Sequence, residues 1–124
     1  MSGVPGTELA DAMDGYAFAY LMTVTDAGEA HAVAVQPRLS AGVLQIDAVG
    51  SRSRGNIGAH PQVSLVWPPA DFDGYSLIVN GTAQPDDQPG IIVTPTRAVL
   101  HRPHEHEGES ATGCGSDCVP LSLE

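Results

Sequence analysis

The chain has 124 residues, 42% of them apolar, which is enough for one core and too little for two domains of ordinary size. Fifteen acidic residues face five basic ones, all Arg, for a formal net charge of −10. That balance excludes nucleic-acid binding by counterion release and docking on anionic lipid, both of which need a basic face.

In chain order, residues 1–6 read as a loose arm. Thr7 caps a short helix over Glu8 to Met13, with Glu8 and Asp11 near its positive end. Asp14-Gly15 breaks it, and the period changes to two. Tyr16–Thr25, Ala30–Gln36 and Val43–Val49 alternate apolar and polar residues and are separated by Gly-containing turns, which predicts a three-stranded antiparallel meander. In the second run, His31, Val33 and Val35 share one face and the small Ala32 and Ala34 the other. Residues 50–59 break the strand pattern and predict a turn and a short helix that stops before His60-Pro61. Gln62–Trp67, Tyr75–Gln84 and Ile91–Leu100 are three more strands. Pro95 inside the last of them places it at a sheet edge.

From His101 to Glu124 the composition turns acidic, with His101, His104, His106, Cys114 and Cys118. The expected organisation is therefore a domain over 1–100 followed by an acidic His/Cys-containing C-terminal arm over 101–124. His-x-His with Cys-x3-Cys is no standard zinc spacing, so no metal site is assigned, and a tail packed over a dimer is the preferred reading. The N-terminus carries no basic or apolar signal segment, and no apolar run approaches a membrane span. The expected location is the cytoplasm. No strand–Gly-x-Ser-x-Gly–helix elbow is present, and no nucleophilic triad is assigned.

The one cluster of cations is Ser51-Arg52-Ser53-Arg54, between a strand and a helix. Free N–H groups at a helix start, two hydroxyls and two guanidiniums suit a phosphate dianion. The alternative is two arginines that keep a loop soluble.

Several segments now stand in a fixed order. Tyr20-Leu21-Met22-Thr23-Val24 opens the set. Gly-Ser-Arg-Ser-Arg-Gly-Asn-Ile-Gly-Ala-His-Pro runs into Val-Ser-Leu-Val-Trp, and Gly-Tyr-Ser-Leu-Ile-Val-Asn-Gly-Thr-Ala follows. Over about residues 8 to 100 this resembles the flavin-binding split β-barrels related to pyridoxamine 5′-phosphate oxidase. The resemblance implies a mainly β fold: a six-stranded antiparallel Greek-key split barrel with one or two short helices. It also implies a homodimer with FMN in clefts between subunits, while some relatives use a deazaflavin coenzyme and some split barrels bind haem. Carried over by position, Thr23 lies near the isoalloxazine, Ser51, Arg52, Ser53 and Arg54 bind the phosphate, Asn56 matches an Asn of the short helix, and Trp67 either reaches the partner's cofactor or packs in the core. The family's basic residue three before the Asn is Ser53 here, with Arg52 and Arg54 beside it. The longer C-terminal segment that grips the pyridoxal substrate in the oxidase has no counterpart, so that substrate is not implied. The expectation is an oxidoreductase acting on an unspecified small molecule, with no catalytic side chain assigned. The alternatives are a non-enzymatic flavin-, deazaflavin- or haem-binding module and a barrel with a metal-binding arm.

Overall fold

The computed structural model describes residues 7–87, 89–103 and 116–124. The expected N-terminal arm, His104, His106 and Cys114 lie outside the described residues. The fold is mainly β: a curled antiparallel sheet with two helices, in the order α1 (Thr7–Met13), β1 (Ala19–Val24), β2 (Ala30–Val35), β3 (Arg38–Ser40), β4 (Val43–Ile46), α2 (Ser51–Ala59), β5 (Gln62–Trp67), β6 (Ser76–Pro85), β7 (Ile91–Pro103) and β8 (Ser116–Leu121). The sheet order is β2-β1-β5-β6-β7-β4-β3, with β8 also on β7.

β1 alternates strictly: Ala19, Leu21 and Thr23 are buried, whereas Tyr20, Met22 and Val24 face outward. Its hairpin to β2 closes with the Thr25 N–H donating to the Glu29 carbonyl at 2.9 Å, and Gly28 takes the left-handed φ of 81° that the turn requires. β3 and β4 form a second hairpin through Ala41 and Gly42, at φ 52° and 83°. Two successive positive φ values give the turn the twist that matches its strands.

Three expectations are corrected. The first three runs are not one meander: Val43–Ile46 pairs with β7 and β3, and not with β2. Pro37 breaks the chain between β2 and β3, and alternation alone does not choose a strand's partner. The described strands number eight and not six, because Arg38–Ser40 and Ser116–Leu121 also pair. Nor is β7 an edge strand, since it pairs with β6, β4 and β8. Pro95 is accommodated at a bulge, where the register shifts at Asn80/Gly81, and between the stretches of β7 that pair with β4 and with β8.

The core is filled from the inner face of the sheet by Leu21, Leu65, Leu77 and Val93, all at 0% exposure, with Leu9 of α1 and Ile57 of α2 set against them. The C-terminal stretch joins this body. His101–Pro103 continue β7, and β8 returns along them, pairing Leu100 with Val119 and His101 with Cys118. Leu121 and Leu123 pack on the core, and Ser122 donates its N–H to Glu8 Oε1 at 3.1 Å. Among the described residues no helix is long and apolar enough to cross a membrane.

Candidate functional site

The site is organised by α2. Its nine residues run Ser-Arg-Ser-Arg-Gly-Asn-Ile-Gly-Ala, weak in helix formers, so packing and not propensity holds it. Ile57 is the anchor, 2% exposed. One turn earlier on the same face stand Ser53, 1% exposed, and the half-buried Arg54. Arg54 Nη1 donates to the Val49 carbonyl just before the helix. The helix begins at Gly50, whose lack of a side chain leaves the first N–H groups uncapped. Ser51 and Arg52 stand exposed beside them.

α2 is tied to the sheet by Asn56, whose Nδ2 donates to Thr23 Oγ1 at 3.0 Å. Thr23 is one of two buried polar residues among the described residues, 1% exposed, and this bond satisfies its acceptor. At the far end of the helix His60 Nε2 lies 3.0 Å from Asp26 in the β1–β2 turn, an exposed contact that adds little energy.

The structure thus brings Thr23 and Asn56 together, and it splits the phosphate cluster in two. Ser51 and Arg52 reach solvent at the helix N-terminus, while Ser53 and Arg54 turn inward. Trp67 is not with them. It is 2% exposed in the core, and Thr23 is level with Val63 on β5, so the two are separated by about 13 Å of strand.

His31 was not singled out from the sequence. It pairs directly with Thr23 across β1 and β2, so both side chains project from the same face. Its Nδ1 is buried and has no hydrogen-bond partner among the described residues. The available signal was a polar ring on a face otherwise made of Val33 and Val35. Elsewhere, Tyr16 donates its hydroxyl to the Tyr75 carbonyl at 2.7 Å, and burial pushes its phenol above the ordinary 10.0. Among the described residues no group of three His, Cys, Asp or Glu could hold a metal ion.

Comparison with known proteins fits this architecture. No family model matches the chain. Uncharacterized proteins of Mycobacterium bovis and Mycobacterium tuberculosis are each 41% identical over 131 aligned positions, covering 93% of this chain and 92% of theirs. A putative pyridoxamine 5′-phosphate oxidase from Listeria innocua superposes with a TM-score of 0.60 at 14% identity, over 74% of this chain and 94% of that one. The chain belongs to one family with the mycobacterial proteins, and its fold is that of the pyridoxamine 5′-phosphate oxidase-like split barrels. An F420 reductase is similar at a TM-score of 0.58 and 18% identity, over 79% of this chain and 98% of that one. A heme binding protein from Mycobacterium smegmatis reaches 0.60 at 15% identity, over 97% of this chain and 60% of that one.

Proposed function

We propose that this split barrel binds a phosphate-bearing flavin, FMN, at the end of the barrel closed by α2, and that it acts as an oxidoreductase on a small molecule. The observation that carries the reading is the uncapped N-terminus of α2, with Ser51 and Arg52 exposed beside it, on a helix that the Asn56–Thr23 hydrogen bond ties to β1. Unsatisfied backbone N–H groups, the positive helix end and a guanidinium form a donor set for a phosphate, so the residues present fit the group. Arg52 and Ser51 would hold the phosphate. Arg54, engaged with Val49, would brace the strand-to-helix turn. The buried Nδ1 of His31, next to Thr23, is a polar atom in want of a partner, which suits the polar edge of a ring system. When bound, a flavin supplies the electron or hydride transfer, and the protein supplies binding, orientation and exclusion of water.

The likeness to an F420 reductase and to a heme binding protein supports two alternatives, a deazaflavin coenzyme and a non-enzymatic haem module. We also propose a homodimer in the cytoplasm. Tyr20, Met22 and Val24 are 40%, 39% and 38% exposed in a row on β1, next to exposed Ala30, Ala32 and Ala34 of β2. Apolar side chains so aligned on a small domain suit a second copy, with an interface above about 2,000 Å². The test is titration of the purified chain with FMN, riboflavin, a deazaflavin and hemin. FMN is expected to bind at least about tenfold tighter than riboflavin, because riboflavin lacks the phosphate. Equal affinities would remove the phosphate assignment, and a Soret band with no flavin binding would establish the haem alternative.

A further inference from the structure

Among the described residues, β2 pairs only with β1, β3 only with β4 and β8 only with β7, so each of these strands presents an open edge. Open edges recruit other chains unless they are short, charged or interrupted by proline. β3 is three residues long, follows Pro37 and carries Arg38, which is ion-paired with Asp47. β8 carries Asp117 and Pro120. β2 has no such protection. Its six residues, Ala-His-Ala-Val-Ala-Val, hold no carboxylate, Lys, Arg or Pro, and its register with β1 runs without a bulge.

The hairpin decides which main-chain groups of β2 lie open. The Thr25 N–H donates to the Glu29 carbonyl, and the register then alternates between pairs that exchange main-chain hydrogen bonds and pairs that do not. Thr23–His31, Leu21–Val33 and Ala19–Val35 are of the first kind. Val24–Ala30, Met22–Ala32 and Tyr20–Ala34 are of the second. The N–H and C=O groups of Ala30, Ala32 and Ala34 therefore point away from β1, about 7 Å apart along the strand. They have no hydrogen-bond partner among the described residues. The same alanines are exposed and carry only methyl groups, so no side chain stands over this main-chain edge.

We propose that β2 is a strand-addition edge whose occupant is β2 of a second copy, antiparallel about Ala32. In that register Ala32 exchanges hydrogen bonds with the partner's Ala32, and Ala30 with the partner's Ala34, so every open group of the strand is satisfied. Charge favours this occupant. Two chains of net charge −10 repel, and they can approach closely only where the surface is neutral, as β2 is. Antiparallel pairing also sets the two Glu29 carboxylates at opposite ends of the ribbon, whereas a parallel pair would put them side by side. The contact differs from the one proposed for the outer face. There the side chains of Tyr20, Met22 and Val24 meet a second copy. Here the main chain of β2 does, in the plane of the sheet, and neither contact requires the other or the cofactor.

The test is amide hydrogen exchange of the full chain, read residue by residue at about 0.05 mM and at about 1 mM. The amides of Ala30, Ala32 and Ala34 should exchange about tenfold or more slowly at the higher concentration, while those of His31, Val33 and Val35, already bonded to β1, should be protected at both. Ala32→Pro removes an N–H that has no partner within the chain, so the fold should hold and the concentration-dependent protection of Ala30 and Ala34 should vanish. A second set of variants does not strain the backbone. Ala32→Lys and Ala32→Glu should each abolish the effect by placing like charges opposite one another, and an equimolar mixture of the two should restore it. Tyr20→Ser with Met22→Ser, which alters the outer face alone, should leave the protection of Ala30, Ala32 and Ala34 in place. Exchange at these alanines that does not respond to concentration would overturn the proposal. So would protection that survives Ala32→Lys, a mixture that fails to restore it, or its loss in the outer-face variant.

Discussion

Arg52 and Arg54 are two positions apart in sequence, and the structure gives them different surroundings. Arg52 is exposed on the first turn of α2, so Arg52→Ala removes no packing and puts a better helix former in its place. Stability should stay within about 0.5 kcal/mol of the parent. If its guanidinium holds a phosphate, the lost charge-assisted hydrogen bond is worth about 1.5–3 kcal/mol, a weakening of FMN by roughly ten- to a hundredfold. Arg54→Ala has the reverse profile. The half-buried guanidinium donates to the Val49 carbonyl, and Val49 itself is 7% exposed, so truncation leaves that acceptor without its partner. The cost is about 1–3 kcal/mol of stability, a fall of several degrees in melting temperature for a domain of this size. FMN affinity, measured where the variant is still folded, should change less than for Arg52→Ala. The assay is a pair of thermal melts and flavin fluorescence titrations, with riboflavin as the control that should not respond to Arg52→Ala. Unaltered FMN affinity in Arg52→Ala, or a larger loss in a folded Arg54→Ala, would refute the division of labour.

Asn56→Ala should destabilise by about 1–3 kcal/mol, since it leaves the hydroxyl of the buried Thr23 without a partner. Adding Thr23→Val should cost less than the sum of the two single changes, and strict additivity in urea melts would show that the bond is not the cause. Tyr16→Phe tests the raised phenol. In the native state Tyr16 holds its proton above pH 10.0, so its contribution is complete below that pH and is lost as pH rises through the elevated value. The variant should lose the hydrogen bond to Tyr75 at neutral pH and show a shallower decline in melting temperature above about pH 10 than the parent. Gly81→Ala should destabilise by about 1–3 kcal/mol or more, because its Cβ would meet the Thr94 carbonyl oxygen at 2.6 Å and Val93 Cγ1 at 2.8 Å, and an unaltered melting temperature would contradict the tight bulge.

Much of the fold was legible because local chemistry repeats what the tertiary structure demands. Thr7 to Met13 forms a helix, residues 51–59 form a helix, and Ala30–Val35, Gln62–Trp67 and Ser76–Pro85 fall within a residue or two of the alternating runs. Gly28, His60-Pro61 and Pro68-Pro69 mark the breaks for backbone reasons that any context would respect. Pairing was not legible in the same way. Val43 to Ile46 alternates correctly for any neighbour, and its partner, β7, lies about fifty residues away, so no short-range pattern could choose β7 over β2. The three residues of β3 are too few to show a period. Pro95 misled because the rule against proline in a central strand assumes a regular ladder, and here the ladder shifts at that point.

The candidate site shows where the sequence held more than was read from it. Ser51-Arg52-Ser53-Arg54 form one cluster by adjacency, yet the same segment reads as helical. In a helix, neighbours differ by about 100° and a face recurs every three or four residues. Ile57 is the one large apolar residue of α2 and must face the core, as its 2% exposure bears out. Counting back three and four residues puts Arg54 and Ser53 on that face and leaves Ser51 and Arg52 at the open helix end. Periodicity alone therefore contained the split between the inward and the exposed pair. The hydrogen bond from Asn56 to Thr23 was not available that way, because it joins residues 33 apart and depends on α2 crossing β1.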